Sequence, residues 1–281
     1  MTKYGSQKIK QANREIFNRP DYDYTKKRRI HFDHDTAIRL VKRYEKALGE
    51  QFKLYERFLD LGCGNGFIAL NLAGTGLMKH VSGIDISERM LQQCKKNAEI
   101  LNISISLAQA DVEYLPFRND SFDLIIGHAI LHHLPDAQRA LRETYRILKP
   151  RGMCIFTEPS RVGSRIISVF QWLVWFIPLL VRQCTKTESE KMVEIDTFSA
   201  QTLKETAKEI GFTDARSGPF AGFLSRMLYW ILDPISQKIS CAFYHSYTEK
   251  LIDFFYILDE RIFTKCIPKE WFDEVFIVMH K

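Results

Sequence analysis

Short apolar runs alternate with segments of helical periodicity through the centre of this chain. Each run is the length of a strand buried on both faces, and the segments between them repeat apolar residues three or four positions apart. This alternation is typical of a parallel α/β sheet, in which ligands bind at the carboxyl ends of the strands. The predicted strands are Phe58–Leu61, Val81–Ile84, Ile103–Leu107, Phe122–Ile126 and Met153–Phe156.

The flanking regions follow other patterns. The first 50 residues are polar and helical, and "HDTAIRLVKRYEKALG" places Ile38, Leu40, Val41 and Tyr44 near one helix face before Gly49 ends it. Beyond residue 160, "GFTDARSG" and "WFDEVFIVMHK" have the character of a sixth and a seventh strand, with about 50 residues inserted between them. The predicted parts are an N-terminal helical segment at 1–50, a central core at 51–160, an apolar helical cap at 161–211, and the last two strands at 212–281 with a helical insertion at about 219–270.

The apolar run "IISVFQWLVWFIPLLV", residues 166–181, is too short and too interrupted to predict a spanning helix. It predicts either a buried helix covering an apolar pocket or a helix that docks on a membrane surface, since two tryptophans and flanking arginines suit an interface. The insertion adds the amphipathic segments "FAGFLSRMLYWIL" and "LIDFFYILDERIF". We expect these segments to pack in the interior, and a hydrophobic acceptor chamber or a membrane-facing surface is the alternative.

Composition and charge narrow the class of protein. The 281 residues are 46% hydrophobic and 26% charged, which is ordinary globular composition. The net charge of +6 comes from 40 basic and 34 acidic residues spread along the chain, and this does not indicate nucleic-acid binding. The basic cluster "YTKKRRIHF" at 24–32 is interpreted as solvated surface, with attraction to phosphate or acidic lipid as the alternative. Scattered cysteines and a polar N-terminus predict a cytoplasmic protein, with membrane association left open.

The first strand leads into "FLDLGCGNGFIAL", in which three glycines occupy five positions. Glycine tolerates positive φ and lets a ligand approach the main chain. A dinucleotide fingerprint would require glycine or alanine where the chain has Phe67, and no Gly-Lys-Ser/Thr follows as in a P-loop. The turn therefore predicts a ligand without a phosphate chain.

The motifs that follow resemble those of class I S-adenosylmethionine (SAM)-dependent methyltransferases over residues 58–160. After "DLGCGNG" come Asp85 in "VSGIDIS", Asp111 in "AQADVEYLPF" and the stretch "ALRETYRILKPRGMCIFTEP". The resemblance implies a Rossmann-like, seven-stranded, mostly parallel sheet with helices on both faces. The segments of this chain beyond the shared core add predicted helical insertions after strand 5 and between strands 6 and 7. The resemblance implies SAM as cofactor, with Asp85 on the ribose hydroxyls and Asp111 on the adenine amino group. Helix capping is the alternative for Asp85, and an exposed loop acid without a special role is the alternative for Asp111. The expected cofactor-binding residues are Asp60, Gly62, Gly64, Gly66, Asp85, Ile86, Asp111, Val112, Gly127 and His128.

Three residues are candidate proton acceptors at the site of methyl transfer. His133 is the first choice, His132 the second, and Glu158, just past the fifth strand, the third. A structural role for each is the alternative. The spacing of His128 and His132 resembles a helical metal pair, but the glutamate of a zinc-protease motif is replaced by Ala129, so we expect no metal.

The resemblance is closest to methyltransferases of quinones, sterols, lipids and other metabolites. Motifs of amino-methylating nucleic-acid enzymes, cytosine C5 enzymes and protein arginine methyltransferases are missing after the fourth strand. We therefore expect methylation of a small, apolar or lipid-like acceptor, with oxygen favoured slightly over carbon or nitrogen because candidate bases are present. An RNA methyltransferase and a SAM-binding protein without catalysis are the alternatives.

Overall fold

A computed structural model describes residues 3–19, 31–176, 200–220, 222–229, 250–252 and 254–281 of the chain. It contains a seven-stranded sheet in the order β3-β2-β1-β4-β5-β7-β6, in which β7 runs antiparallel to both of its neighbours and the other pairs are parallel. The predicted fold is confirmed. The strands are β1 (Tyr55–Leu61), β2 (Met78–Asp85), β3 (Ser106–Gln109), β4 (Phe122–His128), β5 (Leu148–Pro159), β6 (Thr213–Pro219) and β7 (Glu274–His280).

Helices cover both faces of the sheet. Successive residues of a strand point to opposite faces, so Phe58 lies in one apolar layer and Leu59 in the other. The helices are α1 (Lys3–Phe17), α2 (His34–Leu48), α3 (Phe67–Ala73), α4 (Glu88–Leu101), α5 (Ala137–Ile147), α6 (Arg161–Phe176) and α7 (Ala200–Ile210). Of these, α2 and α3 pack on the Phe58 side, and α5 and α7 pack on the Leu59 side.

Local signals place the helix ends. Asp33 precedes α2, and its carboxylate accepts a hydrogen bond from the Thr36 backbone N–H (2.7 Å). Gly49 follows α2 with φ +71°, so the predicted end of this helix is confirmed. The buried face of α2 differs from the predicted one, because Ile38 lies on the outer side and Ala37 and Ala47 are buried instead.

Two further predictions needed correction. The third strand runs over Ser106–Gln109 rather than Ile103–Leu107, since the residues before it form the turn that leaves α4. Within the segment 161–211 predicted as a cap, α7 packs against the sheet with Leu203 and Ala207 in the core. That part of the segment therefore belongs to the layered core.

The chain between β6 and β7 forms the predicted insertion. Its described part includes a helical turn at 224–229, a helical stretch at 254–258 that continues into a π-helix at Asp259–Phe263, and a 3₁₀ turn at Lys269–Trp271. The predicted apolar segments 166–181 and 220–232 lie partly outside the described residues, as does the basic cluster 24–32. Within the described parts of the chain, no helix is both long enough and apolar enough to cross a membrane.

Candidate active site

A cavity of about 690 Å³ runs along the carboxyl ends of β1, β2 and β4. This size falls within the range of small-molecule sites, and its position matches the crevice where α/β sheets bind ligands. One end is bordered by the glycine turn and the acids after β2 and β3. The other end is bordered by α2, the residues after β4 and the insertion before β7. We refer to these as the cofactor end and the acceptor end.

The glycine turn forms the floor of the cofactor end. Gly64 has φ +52°, and a Cβ built on it would meet no atom within 4 Å, so the turn presents bare backbone to open space. Gly66 has φ +89° and precedes α3, where a Cβ would come within 2.7 Å of the Cys94 sulfur. Glycine is required at Gly66 by both conformation and space, and at Gly64 by conformation.

Asp85 ends β2 and joins the glycine turn to the next helix. Its carboxylate accepts hydrogen bonds from the backbone N–H of Gly64 (2.9 Å) and of Ser87 (2.8 Å). Ser87 caps α4 by accepting from the Met90 N–H (3.2 Å), so Asp85 is not the helix cap. Each carboxylate oxygen still has a lone pair available, which leaves Asp85 able to accept from a ligand hydroxyl.

Asp60 lies at the end of β1 and is 1% exposed. One of its carboxylate oxygens accepts from the Ala69 N–H (3.1 Å), which ties β1 to α3 across the glycine turn. Burial raises the pKa of Asp60 to about 7, and the nearby charge of Asp85 acts in the same direction. Asp60 is thus a buried carboxyl that changes charge near neutral pH.

Helix α1 covers the far corner of the cofactor end. Lys10 forms ion pairs with Asp111 (2.7 Å) and with the buried Glu113. Asp111 is held beside Asp85, because the Ala110 N–H donates to the Asp85 carbonyl (3.1 Å). Sequence reasoning missed Lys10, since a lysine on a polar helix gives no signal of a partner a hundred residues away.

The residues after β4 form a short 3₁₀ turn, Leu131–His133, that is held by one buried carboxylate. Glu158, 1% exposed, accepts from the backbone N–H of Ile130 (3.1 Å), Leu131 (2.8 Å) and His132 (3.3 Å). It also lies 2.7 Å from Nδ1 of the His132 ring. A carboxylate accepts Nδ1–H, which leaves Nε2 of His132 as the nitrogen with a free lone pair.

His133 and His128 lie on either side of this buried pair. The His133 ring lies 3.9 Å from the His132 ring, centroid to centroid, and its carbonyl accepts from the Asn13 side chain (3.0 Å) on α1. Nδ1 of His128 lies 2.5 Å from the Thr157 hydroxyl, and burial lowers the pKa of His128. We therefore expect His128 to be neutral at pH 7.

The acceptor end carries charged and polar side chains beside apolar ones such as Leu40, Phe220 and Ile252. Its described wall carries Arg43 of α2, Arg226 and Tyr229 of the turn at 224–229, Tyr256, and Asp273 and Glu274 before and within β7. The Arg226 guanidinium pairs with Asp273 (2.6 Å) and more distantly with Glu274 (3.4 Å). Sequence reasoning missed these charged and polar side chains because they come from four separated segments.

The buried Asp259 supports the segment that carries Arg226. Its carboxylate accepts from the backbone N–H of Leu224 and of Ser225 (both 2.8 Å) and from the Ser225 hydroxyl (2.6 Å). A Cβ at Gly222 would come within 2.3 Å of the same carboxylate. The π-helix that contains Asp259 therefore fixes the start of the turn at 224–229.

The structure brings most predicted site residues to one cavity. Glu158, Gly66 and Gly127 lie behind the cavity wall. Glu158 holds the 3₁₀ turn, and a Cβ on Gly127 would come within 2.5 Å of the Phe156 ring, so close packing accounts for that glycine. The predicted residues on the wall are Asp60, Gly62, Gly64, Asp85, Ile86, Asp111, Val112, His128, His132 and His133.

The cofactor end fits SAM. The open backbone at Gly64 gives room for a ligand to lie against the turn, and acids at two neighbouring strand ends, Asp85 and Asp111, offer acceptors for the hydroxyl and amino hydrogens of a nucleoside. Among the residues described, no three histidine, cysteine or acidic side chains cluster as metal ligands would.

Comparison with known proteins gives the same result. The family described as "Methyltransferase domain" matches residues 54–214. A protein of Rickettsia bellii named "Ubiquinone/menaquinone biosynthesis C-methyltransferase UbiE" is 35% identical over 175 residues, which cover 57% of this chain and 70% of that protein. A "Demethylmenaquinone methyltransferase" of Lactobacillus johnsonii is 30% identical over 204 residues, which cover 64% of this chain and 84% of that protein.

Solved structures share the fold at lower sequence identity. A phosphoethanolamine N-methyltransferase of Haemonchus contortus, in complex with S-adenosylhomocysteine, has a TM-score of 0.56 at 21% identity, covering 100% of this chain and 58% of that one. A structure described as the [4+2]-cyclase SpnF has a TM-score of 0.55 at 18% identity, covering 86% of this chain and 80% of that one. These likenesses concern the fold alone. Taken with the family match and the sequence relatives, the chain belongs to the methyltransferase domain family and is a SAM-dependent methyltransferase.

Proposed function

We propose that this enzyme methylates a small, quinone-like ring acceptor and that His132 removes the proton that activates it. The observation that carries the proposal is that His132 lies on the cavity wall while the buried Glu158 behind it lies 2.7 Å from Nδ1 of His132. The names of the relatives support the acceptor class, because they describe enzymes of ubiquinone and menaquinone biosynthesis and of demethylmenaquinone.

The two residues have different roles in this proposal. His132 Nε2 accepts the proton of a ring hydroxyl, and Glu158 holds the Nδ1–H so that this tautomer is the one present. Four donors already occupy the Glu158 carboxylate, so we propose it as a positioning residue rather than a base. This geometry favours His132 over His133, the reverse of the order expected from the sequence.

When bound, the cofactor supplies a methyl group that is attached to a sulfonium sulfur. An electron-rich atom of the acceptor takes the methyl group by in-line displacement, and the sulfur is the leaving group. The protein contributes alignment, because the cofactor end and the His132 turn lie on one cavity. Asp85 and Asp111 are proposed to bind the ribose and the adenine amino group, and the glycine turn to support the methionine portion.

The methylated atom is proposed to be a ring carbon. The sequence favours oxygen slightly, but the name of one relative specifies a C-methyltransferase. Loss of the hydroxyl proton prepares the acceptor for methylation at oxygen or at carbon, since a phenolate carries electron density on its oxygen and on the neighbouring ring carbons. After attack from carbon, the hydrogen at that carbon leaves as a proton to solvent, which restores the aromatic ring as a phenolate. The proton held by His132 then returns to the phenolate oxygen.

Peripheral membrane contact through residues 166–181 stays a prediction. The described part of α6 leaves Val162 and Val169 exposed, which supports such contact, whereas residues 177–181 lie outside the described part of the chain. An acceptor with a long apolar tail would have its tail in a bilayer, so a surface helix beside the cavity fits the proposal.

The test is transfer of a labelled methyl group from SAM to 1,4-naphthoquinol, with the product examined by mass spectrometry and nuclear magnetic resonance. We expect a product methylated on a ring carbon. A product with a new methyl ether would support oxygen as the methylated atom and overturn the carbon assignment.

Two further arms address the alternatives. Methylation of RNA but of no ring compound would replace the proposal with the RNA alternative. Tight binding of S-adenosylhomocysteine with no transfer to naphthoquinol, benzoquinol or RNA would favour a SAM-binding protein without catalysis.

A further inference from the structure

Helix α2 turns two arginines toward the cavity. Arg39 and Arg43 are four residues apart, one turn of helix, and both border the cavity together with Thr36 and Leu40. Lys42 lies on the same helix but on its exposed side, away from the cavity. Two permanent positive charges therefore border the cavity.

Most other cations on this cavity have a carboxylate partner. Lys10 pairs with Asp111 and Glu113, and Arg226 pairs with Asp273 at 2.6 Å. Within the described part of the chain, no carboxylate oxygen lies within 4.0 Å of the Arg39 or Arg43 guanidinium.

The contacts of Arg43 leave most of its donors available. Its guanidinium carbon lies 4.6 Å from the centroid of the Tyr256 ring, and the guanidinium also hydrogen-bonds the Tyr256 side chain. A guanidinium has five N–H donors, so the remaining ones can match the two oxygens of a carboxylate or phosphate. Arg39 donates one hydrogen bond, to the Thr36 hydroxyl (2.9 Å), and is otherwise exposed.

Arg43 belongs to the acceptor end rather than the cofactor end. It faces Tyr256 of the insertion, and its charge acts on His128, which follows β4 beside the His132 turn. The nucleoside acids, Asp85 and Asp111, lie at the carboxyl ends of β2 and β3, which are on the other side of β1 from β4. An anionic group at Arg43 would therefore lie on the same side of the cofactor as the proposed base.

We propose that Arg43, supported by Arg39, binds an oxyanionic group, a carboxylate or a phosphate, on the acceptor. This inference rests on the proposed function, and it narrows the acceptor to a ring compound with an acidic substituent. Bidentate hydrogen bonding to a guanidinium gives both affinity and orientation. The anionic group would thus fix which ring position faces His132.

The first test is calorimetric titration of the protein, saturated with S-adenosylhomocysteine, with benzoate, phenyl phosphate and the neutral benzyl alcohol. We expect at least one of the two anions to bind and benzyl alcohol to bind at least about tenfold more weakly. The anion that binds more tightly identifies carboxylate or phosphate. Equal affinity for benzyl alcohol and both anions would overturn the proposal.

The second test assigns the binding to Arg43. We expect Arg43→Gln to weaken binding of the preferred anion by about tenfold or more, and Arg43→Lys to weaken it less, because the charge remains while the planar fork is lost. Lys42→Gln is the matched control on the same helix and should leave this affinity unchanged. A melting curve for each variant shows that it is folded.

Three outcomes separate the inference from its alternatives. Unchanged anion affinity in folded Arg43→Gln contradicts it. Weaker binding of S-adenosylhomocysteine in Arg43→Gln, with the anion affinity intact, also contradicts it and would place the arginine on the cofactor. Anion binding that depends on Arg43 in a protein that methylates no ring compound supports the subsite and contradicts the proposed function instead.

Discussion

The two ends of the cavity are built in different ways. The cofactor end is made of backbone and of acids at strand ends, where Gly64 and Asp85 are fixed by hydrogen bonds between neighbouring turns. The described wall of the acceptor end is made largely of long side chains, such as Arg43 and Arg226, from α2 and from the insertion between β6 and β7.

The difference separates the part of the enzyme that the family shares from the part that is specific to this chain. The cofactor end lies almost wholly within residues 54–214, the part matched by the family. Arg43, Arg226 and Tyr256 lie outside that range. A ligand common to many enzymes is held by backbone geometry, and we expect a ligand specific to one enzyme to be held by side chains that can change without disturbing the sheet.

The largest expected effect tests the acceptor end. His132→Asn keeps a side-chain donor for Glu158 but removes the proton acceptor, so we expect kcat to fall by about 10²–10⁴-fold. Affinity for S-adenosylhomocysteine, measured by calorimetry, should stay within about twofold of wild type. His133→Asn is the matched control, with an expected loss below about tenfold. A larger loss in His133→Asn than in His132→Asn would exchange their roles.

The second effect tests the buried carboxyl of the cofactor end. The pKa of Asp60 is raised to about 7 in the folded state. Between the ordinary pKa of an aspartate and about pH 7, the folded protein therefore keeps the Asp60 proton that the unfolded chain has already released. Stability must then fall as pH rises, and by pH 8 both states are ionised. Between pH 5 and 8 we expect wild type to lose about 3 kcal/mol more than Asp60→Asn, measured by urea unfolding. Parallel pH profiles for the two proteins would show that Asp60 has no raised pKa.

The third effect separates binding from catalysis. Asp85→Ala removes the acceptor proposed for the ribose hydroxyls, and loss of a charged hydrogen bond should weaken S-adenosylhomocysteine by about 10–100-fold. Asp123→Ala is the control, since Asp123 lies at the amino end of β4, away from the carboxyl strand ends that border the cavity, and pairs with Lys149 (2.9 Å). Unchanged affinity in folded Asp85→Ala would place the nucleoside elsewhere.

The smallest expected effect concerns helix α1, which covers the far corner of the cofactor end. Lys10→Gln leaves the buried Glu113 without its cation, so we expect a loss of about 1 kcal/mol in stability and less than about threefold in affinity for S-adenosylhomocysteine. Lys79→Gln breaks a more exposed pair with Glu56 and should destabilise the protein less than Lys10→Gln does. An equal loss in both variants would mean that Lys10 is only a surface charge.

The sequence predicted which residues gather at the cofactor end but not the long-range pairs at the acceptor end, for a physical reason. Gly64 and Asp85 lie in short motifs whose backbone roles are local, so their spacing identifies them. The pairing of Arg226 with Asp273 joins residues that are far apart in the chain, and no periodicity marks it. The third strand was misplaced because Ile103 and Ile105 are apolar but pack from the turn that leaves α4.

Helix α1 touches both ends of the cavity, through Lys10 on Asp111 and through Asn13 on the His133 carbonyl. We expect a ligand beneath this helix to exchange when the helix shifts, and such a shift would loosen the turn that carries His132 at the same time. We therefore expect an ordered sequence of binding, with the methyl donor entering first and its demethylated product leaving last. In such an enzyme the movement of α1 away from the cavity, rather than methyl transfer, would limit the turnover rate.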